Sequence, residues 1–440
     1  MVADPHDVRC WRFRVRRILV AVLALVATVG AGPNAFASPP APITAFYQPP
    51  VPLPPGAPGD VIRSEPSHLA LSVPGGSGTF PANATRIMYR STGATGLPNA
   101  VTGTVLDPSL PWRGPGVRPL VSFAIGTHGQ GDQCAPSKLF NQVIQYNPPL
   151  DLMTEYEVVF IDLLLAQGIG VVVTDYDGLG TPAVHSYLNS AALAHAVIDA
   201  ARAAQRVGGT SIPAHGPVAF WGYSEGGGAA AAAGEYAASY GPDLDVRGTF
   251  AGAAASPDLI AQAAKFDGTI LSGFNGYLLN GLRAVYPQAA PVIDGFLNPA
   301  GRQLLAAAAN QCAIETSLTY GFRRSSDMTV DHRSFAAHLA DDPVTGSIVK
   351  SLHIGDRKPN APVLLSTASA DDIVPAEPIR ATAAQWCGQG ATVELLDLPT
   401  PPILPGTAIV HVIDSPLSIF GRSLAWLNES FDGVPARSTC

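Results

Sequence analysis

The stretch that most limits how this chain can fold is Phe220-Trp221-Gly222-Tyr223-Ser224-Glu225-Gly226-Gly227-Gly228. Residues 216–221 form a short apolar run behind a turn, which predicts a buried strand. Residues 229–240 are rich in alanine and closed by Gly241-Pro242, which predicts a helix with a C-terminal stop. Between them stands Gly-Tyr-Ser-Glu-Gly, the G-x-S-x-G pattern of a nucleophile on a strand-to-helix elbow. Such a turn is tight, so Gly222 and Gly226 remove the side chains that would collide in it. The N-terminal end of the following helix offers free N–H groups and a positive dipole end to a developing oxyanion. Glu225 follows the serine, and its amide is one candidate donor. The competing reading is a glycine-rich turn with an incidental serine; the flanking strand and helix favour the elbow.

The rest of the chain supplies a sheet around that elbow. Residues 86–92 and 100–106 read as early strands, and residues 119–125 as an apolar strand covered on both faces. That strand runs into Gly126-Thr127-His128-Gly129-Gln130-Gly131, a flexible loop. A helix over 154–167, a strand over 170–174, a helix over 190–206, the elbow and a strand over 247–255 then alternate. This order implies an α/β fold with a mostly parallel sheet and helices on both faces. Ligands of such sheets sit at the C-terminal ends of the strands, where the loops after residues 125, 174 and 221 open.

The alternation breaks from residue 257 to 358. This segment reads as helical runs over 259–265, 276–286 and 300–314, with no clear strand. Exposed-looking apolar residues recur in it: Phe266, Phe274, Tyr277, Leu278, Leu279 and Phe296. A helical cap inserted into the sheet domain is expected, its apolar side chains lining an acyl site. A strand over 362–368, a helix over 377–387, a strand over 392–398 and a last helix over 415–427 resume the pattern. The expected organisation is therefore a core over 59–256 and 359–440, divided by the cap at 257–358.

Ahead of this core, residues 1–37 carry the marks of a secretory leader. Five arginines precede an apolar run over 18–29, and Ala35-Phe36-Ala37 fits a small-x-small cleavage site. A proline-rich arm over 38–58 is expected to run extended across the surface. Removal of the leader takes five arginines and two aspartates, moving the net charge from −8 to −11. That balance disfavours nucleic acid as a partner. Cys10 leaves with the leader, so Cys134, Cys312, Cys387 and Cys440 remain. Export and an even count suggest two disulfides, with three connectivities open. There is no CxxC or HExxH pattern, and neither a metal nor another cofactor is expected.

A serine nucleophile needs a base, and the base needs an orienting carboxylate. On this fold they follow in the order serine, acid, histidine, each on a loop after a strand. His411 is the one histidine after the strand at 392–398, so chain order selects it. Asp371 and Asp372 both follow the strand at 362–368, and the residues alone leave the two nearly tied.

The elbow, Gly131-Asp132-Gln133-Cys134-Ala135-Pro136-Ser137, Gly59-Asp60-Val61-Ile62-Arg63-Ser64 and Asp371-Asp372-Ile373-Val374-Pro375 together resemble the secretory lipase family, the lipase A-like α/β hydrolases. The resemblance runs from about residue 46 to 432. It implies an α/β-hydrolase fold with a helical cap and a secreted triacylglycerol lipase or carboxylesterase. It places the acid of the family's Asp-x-Ile-Val-Pro pattern on Asp371, and a second oxyanion donor on Thr127, His128 or Gly129. The expected chemistry is ester hydrolysis through an acyl-enzyme on Ser224, with His411 as base. Lipid or small esters are the expected substrates, with transient contact to lipid interfaces. An acyltransferase with the same triad and a non-water acceptor is the alternative, and a non-catalytic lipid-binding protein a more distant one. Chain placement then suggests Cys134–Cys312, tethering the cap to the active edge, and Cys387–Cys440, pinning the tail.

Overall fold

The computed structural model describes residues 44–440 except 71, 76 and 77. The expected leader at 1–37, and residues 38–43 of the proline-rich arm, lie outside the described residues. The chain forms β1 (Val61–Ser67), β2 (Val73–Gly75), β3 (Gly78–Phe80), β4 (Ala82–Thr92), β5 (Pro98–Pro108) and β6 (Leu120–Ala124). It continues with β7 (Gln145–Asn147), β8 (Asp151–Met153), β9 (Gly170–Thr174), β10 (Pro217–Tyr223) and β11 (Asp245–Gly252), and closes with β12 (Val363–Ala368) and β13 (Val393–Leu398). Two short hairpins, β2–β3 and β7–β8, stand apart from a nine-stranded sheet in the order β1-β4-β5-β9-β6-β10-β11-β12-β13. From β9 to β13 every pairing is parallel; β1, β4 and β5 join antiparallel at one side. The protein is thus an α/β hydrolase by architecture, with the elbow strand β10 central in the sheet.

The alternation of side chains along the central strands decides which helices cover which face. Trp221 and its register partner Phe123 stack at 4.5 Å. On their face Trp221 meets Phe160 and Phe420, and its indole N–H donates to Ser423 Oγ at 3.1 Å. The helices Val158–Leu165 and Ser415–Phe431 therefore cover that side. One residue earlier, Ser122 pairs in register with Phe220 and turns the other way, donating to the Val197 carbonyl at 2.7 Å. That side belongs to the helix Ser190–Arg206, begun by Asn189, whose side chain accepts from the Ala192 amide.

Between β11 and β12 lie the helices Leu259–Phe266, Phe274–Val285, Ala289–Phe296, Pro299–Ala308, Ala313–Tyr320, Phe335–Asp341 and Pro343–Ser351. Asp258, Asn298 and Asp342 cap three of their N-termini, each accepting from two amides. The continuous helix expected over 300–314 is broken at 309–312. There the Gln311 carbonyl accepts from the Gln130 and Gly131 amides, and Cys312 pairs with Gly129. These bonds, with the Cys134–Cys312 disulfide, override the helical preference of the alanine run. The apolar residues that look exposed in the sequence are buried: Phe266, Phe274, Tyr277, Leu278, Leu279 and Phe296 are all under 7% accessible. The second disulfide joins Cys387 to Cys440, so both expected pairs form. The arm is not simply draped on the surface: Tyr47 is buried, and its hydroxyl bonds Ser137 Oγ at 2.8 Å.

Candidate active site

β10 ends at Tyr223 and the next helix, Glu225–Tyr240, begins two residues on. Ser224 bridges them at φ 62° and ψ −121°, outside the regions an ordinary side chain prefers. The turn is held by its backbone: the Ser224 amide donates to the Gly252 carbonyl at 2.9 Å, and its carbonyl accepts from Gly228 and Ala255. A Cβ on Gly222 would stand 2.1 Å from the Gly226 carbonyl oxygen, and one on Gly226 would stand 1.9 Å from that of Ala124. Gly222 therefore admits no side chain without opening the elbow, and Gly226 none without the elbow moving away from β6.

Ser224 Oγ lies 2.8 Å from His411 Nε2, and His411 Nδ1 lies 2.8 Å from Asp371 Oδ2. The other Asp371 oxygen accepts from the Ile373 and Val374 amides, both at 2.9 Å. Burial alone would raise the Asp371 carboxyl, but the His411 imidazole and these amides hold it below the ordinary aspartate value. A charged Asp371 fixes the His411 proton on Nδ1 and leaves Nε2 to accept from the serine. Asp372 points elsewhere, its Oδ2 accepting from the Gly406 and Ala408 amides at 2.6 and 3.1 Å. His411 sits in one turn of π-helix, Val410–Asp414, that runs directly into the last helix, where the sequence suggested a loop. Its carbonyl accepts from the Tyr223 hydroxyl at 2.9 Å.

Ser224 and His411 lie on a cavity of about 640 Å³ with largely apolar walls. Phe160, Phe266, Ile270, Leu271, Phe274 and Ile314 contribute to those walls, and Leu318, Val412 and Leu417 do so near solvent. Phe266 and Phe274 therefore stand where an acyl site was expected. Tyr277, Leu278 and Leu279, farther along the Phe274–Val285 helix, and Phe296, at the end of the Ala289–Phe296 helix, instead pack in the core and do not line the cavity.

Of the candidate oxyanion donors, Glu225 is the first residue of its helix, where no carbonyl stands one turn back to take its N–H. Thr127 lines the cavity. His128 and Gly129 do not. The His128 ring is buried against Tyr156 and stands 3.1 Å from Glu155, and Gly129 lies against the Cys312 backbone. Several residues beside the site carry no motif that would have marked them. Glu157 accepts from the Gly126 amide at 2.6 Å, the Tyr187 hydroxyl meets Thr127 Oγ1 at 3.0 Å, and His185 Nε2 lies 2.9 Å from Glu225 Oε1. Among the described residues no cluster of histidine, cysteine and carboxylate side chains has the form of a metal site.

A model of the secretory lipase family matches residues 145–439. Lipase 5 of Candida albicans is 27% identical over 440 residues, spanning 96% of this chain and 87% of its own length. A probable inactive lipase of Mycobacterium tuberculosis is 28% identical over 396 residues, 89% of this chain and 82% of its own. Among solved structures, Candida antarctica lipase A superposes with a TM-score of 0.72 at 23% identity, covering 90% of this chain and 87% of that one.

Proposed function

Because the chain belongs to the secretory lipase family, we propose that it is an exported serine hydrolase of carboxylic esters with apolar acyl groups. The observation that carries this reading is the Asp371–His411–Ser224 relay, two contacts of 2.8 Å opening on an apolar cavity. Ser224 Oγ attacks the ester carbonyl while His411 Nε2 takes its proton. The tetrahedral oxyanion is held by the Glu225 amide and by a donor on Thr127. Collapse breaks the acyl–oxygen bond, and His411 returns the proton to the departing alcohol. Water then attacks the acyl carbon as His411 takes its proton; the bond to Ser224 breaks, His411 returns the proton to Ser224 Oγ, and the acid leaves. Asp371 keeps the imidazole in the required tautomer and faces its cation.

The helical segment between β11 and β12 serves in this reading as a cap over the acyl chain. The apolar side chains at the cavity rim give it contact with a lipid surface. Two disulfides suit a chain that works outside the reducing cytoplasm. Ser224→Ala is expected to lower kcat by about 10³-fold or more without loss of fold. A fluorophosphonate should label the native chain at Ser224 and leave the variant untouched. A folded variant with near-normal turnover, or a native chain that resists the probe, defeats the proposal. Product analysis with and without an added alcohol separates hydrolysis from acyl transfer.

A further inference from the structure

The residue after the nucleophile carries a carboxylate. Glu225 is 2% accessible, and its side chain lies within the same fold of chain that would stabilise an anion. An uncompensated charge there opposes both the attack of Ser224 and the oxyanion it creates. The structure supplies a partner from a distant segment. His185, 1% accessible, places Nε2 2.9 Å from Glu225 Oε1, while its Nδ1 faces the Asp177 carbonyl at 3.0 Å. Burial alone would depress this imidazole, but the Glu225 carboxylate and its hydrogen bond raise it above its ordinary value. Two residues on, the Tyr187 hydroxyl meets Thr127 Oγ1 at 3.0 Å. Both residues belong to the loop between β9 and the helix Ser190–Arg206. The loop is itself tied down: Gln130 Nε2 donates to the His185 carbonyl at 3.0 Å, and the Tyr176 hydroxyl donates to the Ile125 carbonyl at 2.7 Å.

We propose that this one loop positions both halves of the oxyanion site, His185 by pairing with and neutralising Glu225, Tyr187 by holding Thr127. The inference rests on the hydrolase reading above, since it assigns positioning residues to that reaction. His185 lies off the cavity and Tyr187 on its wall; in this reading they fix where two donors stand and which charge lies behind one of them. A neutral pair at 185 and 225 removes the opposing charge as well as the compensation, so the two residues should depend on each other.

The experiment measures kcat and KM on a soluble short-chain ester for the native chain, Glu225→Gln, His185→Gln, the double variant and Tyr187→Phe. Circular dichroism and fluorophosphonate titration count folded, reactive sites. His185→Gln, which leaves the carboxylate without a counter-charge, is expected to lose roughly 30- to 100-fold in kcat with KM little changed. Glu225→Gln, which removes the charge that His185 offsets, is expected to lose less than His185→Gln, and the double variant should recover most of the His185→Gln loss. A purely structural contact predicts the opposite, a double variant at least as poor as the worse single one, and that result overturns the pairing. Tyr187→Phe removes a single oxygen and is the safer variant to fold. A drop in kcat of roughly 3- to 10-fold at constant KM is expected, and an unchanged kcat overturns the Thr127 half. A native chain that neither turns over nor takes the probe overturns the hydrolase reading and this inference with it. An active native chain with an equally active His185→Gln overturns this inference alone.

Discussion

Asp371 and Asp372 stand side by side on one loop, yet a single imidazole can be served by only one of them. Asp371 reaches His411 Nδ1 at 2.8 Å; Asp372 spends its Oδ2 on the Gly406 and Ala408 amides and so shapes the segment leading to His411. Asp371→Asn keeps the volume but favours the wrong imidazole tautomer, and kcat on a soluble ester is expected to fall by as much as ~10⁴. Asp372→Asn retains an acceptor for the same amides and should cost far less. The reverse ranking in folded variants would move the acid to Asp372. A second residue-scale consequence concerns pH. Burial, then the Glu155 carboxylate, pushes Glu157 up to about 8 from 4.5. Between those values the folded chain keeps a proton that the unfolded chain has released, so stability falls as pH rises. Burial alone would depress His128, but Glu155 and Glu157 raise it from 6.5 to about 9. Its contribution is complete below 6.5 and is lost as pH climbs through 9. Tyr156 stacks on the ring and adds no charge while protonated. Both groups act in one direction, so Tm should decline from about pH 5 to 9, and less steeply in a His128→Gln, Glu157→Gln double variant. Parallel profiles would show that the cluster does not titrate in this way.

At the scale of elements, the part of the site legible from sequence was the part carried by local chemistry. The elbow declares itself through Gly222 and Gly226, whose absent side chains the backbone around them requires. Chain order found His411, and the strands at 170–174 and 363–368 were plain from their apolar runs. What escaped was made by contacts between segments far apart. Asn310 after the alanine run at 306–309 is only a weak stop signal; the Gly129–Gly131 loop fixes the break at 309–312 by taking its hydrogen bonds. Likewise His185 and Tyr187 lie on a loop that looks ordinary until it is folded over the elbow. The inserted helices illustrate the same division. Their apolar content is evident, but only the fold separates Phe274, on the cavity wall, from Leu278, one turn later and in the core. Phe274→Asp is therefore expected to penalise long-chain esters at least 10-fold more than acetate, since it places a charge where the chain must lie. Leu278→Asp should instead unfold or destabilise the protein without chain-length discrimination. Equal losses on both substrates in a folded Phe274→Asp variant would make the segment a purely structural layer.

At the scale of the whole molecule, charge and exposed apolar surface bear on what the cavity mouth can meet. Tyr156, Leu318, Val412 and Leu417 line the cavity while remaining 45–70% accessible, an arrangement a sealed core does not need. Val159 and Leu163, 60% and 44% accessible, stand one turn apart on the helix that also presents Phe160 to the cavity. The segments that carry these exposed side chains, residues 139–167, 310–322 and 403–418, contain no lysine or arginine, and Asp151, Glu155, Glu157 and Glu315 within them are buried. Such a surface can bury apolar area in a neutral lipid layer, and these segments themselves offer no lysine or arginine to an anionic one. Val159→Asp combined with Leu163→Asp should leave kcat/KM on a dissolved short-chain ester within about 2-fold, because neither residue lines the cavity. On an emulsified long-chain ester the same variant should lose most of its rate, through weaker adsorption rather than slower chemistry. Native protein should also sediment with vesicles of neutral lipid, and enrichment in an anionic lipid should bring no gain, since adsorption rests on apolar burial rather than on charge. Equal rates of native and doubly substituted protein on the emulsion would remove the rim from the account of how substrate arrives and leave the cavity to act on dissolved esters alone.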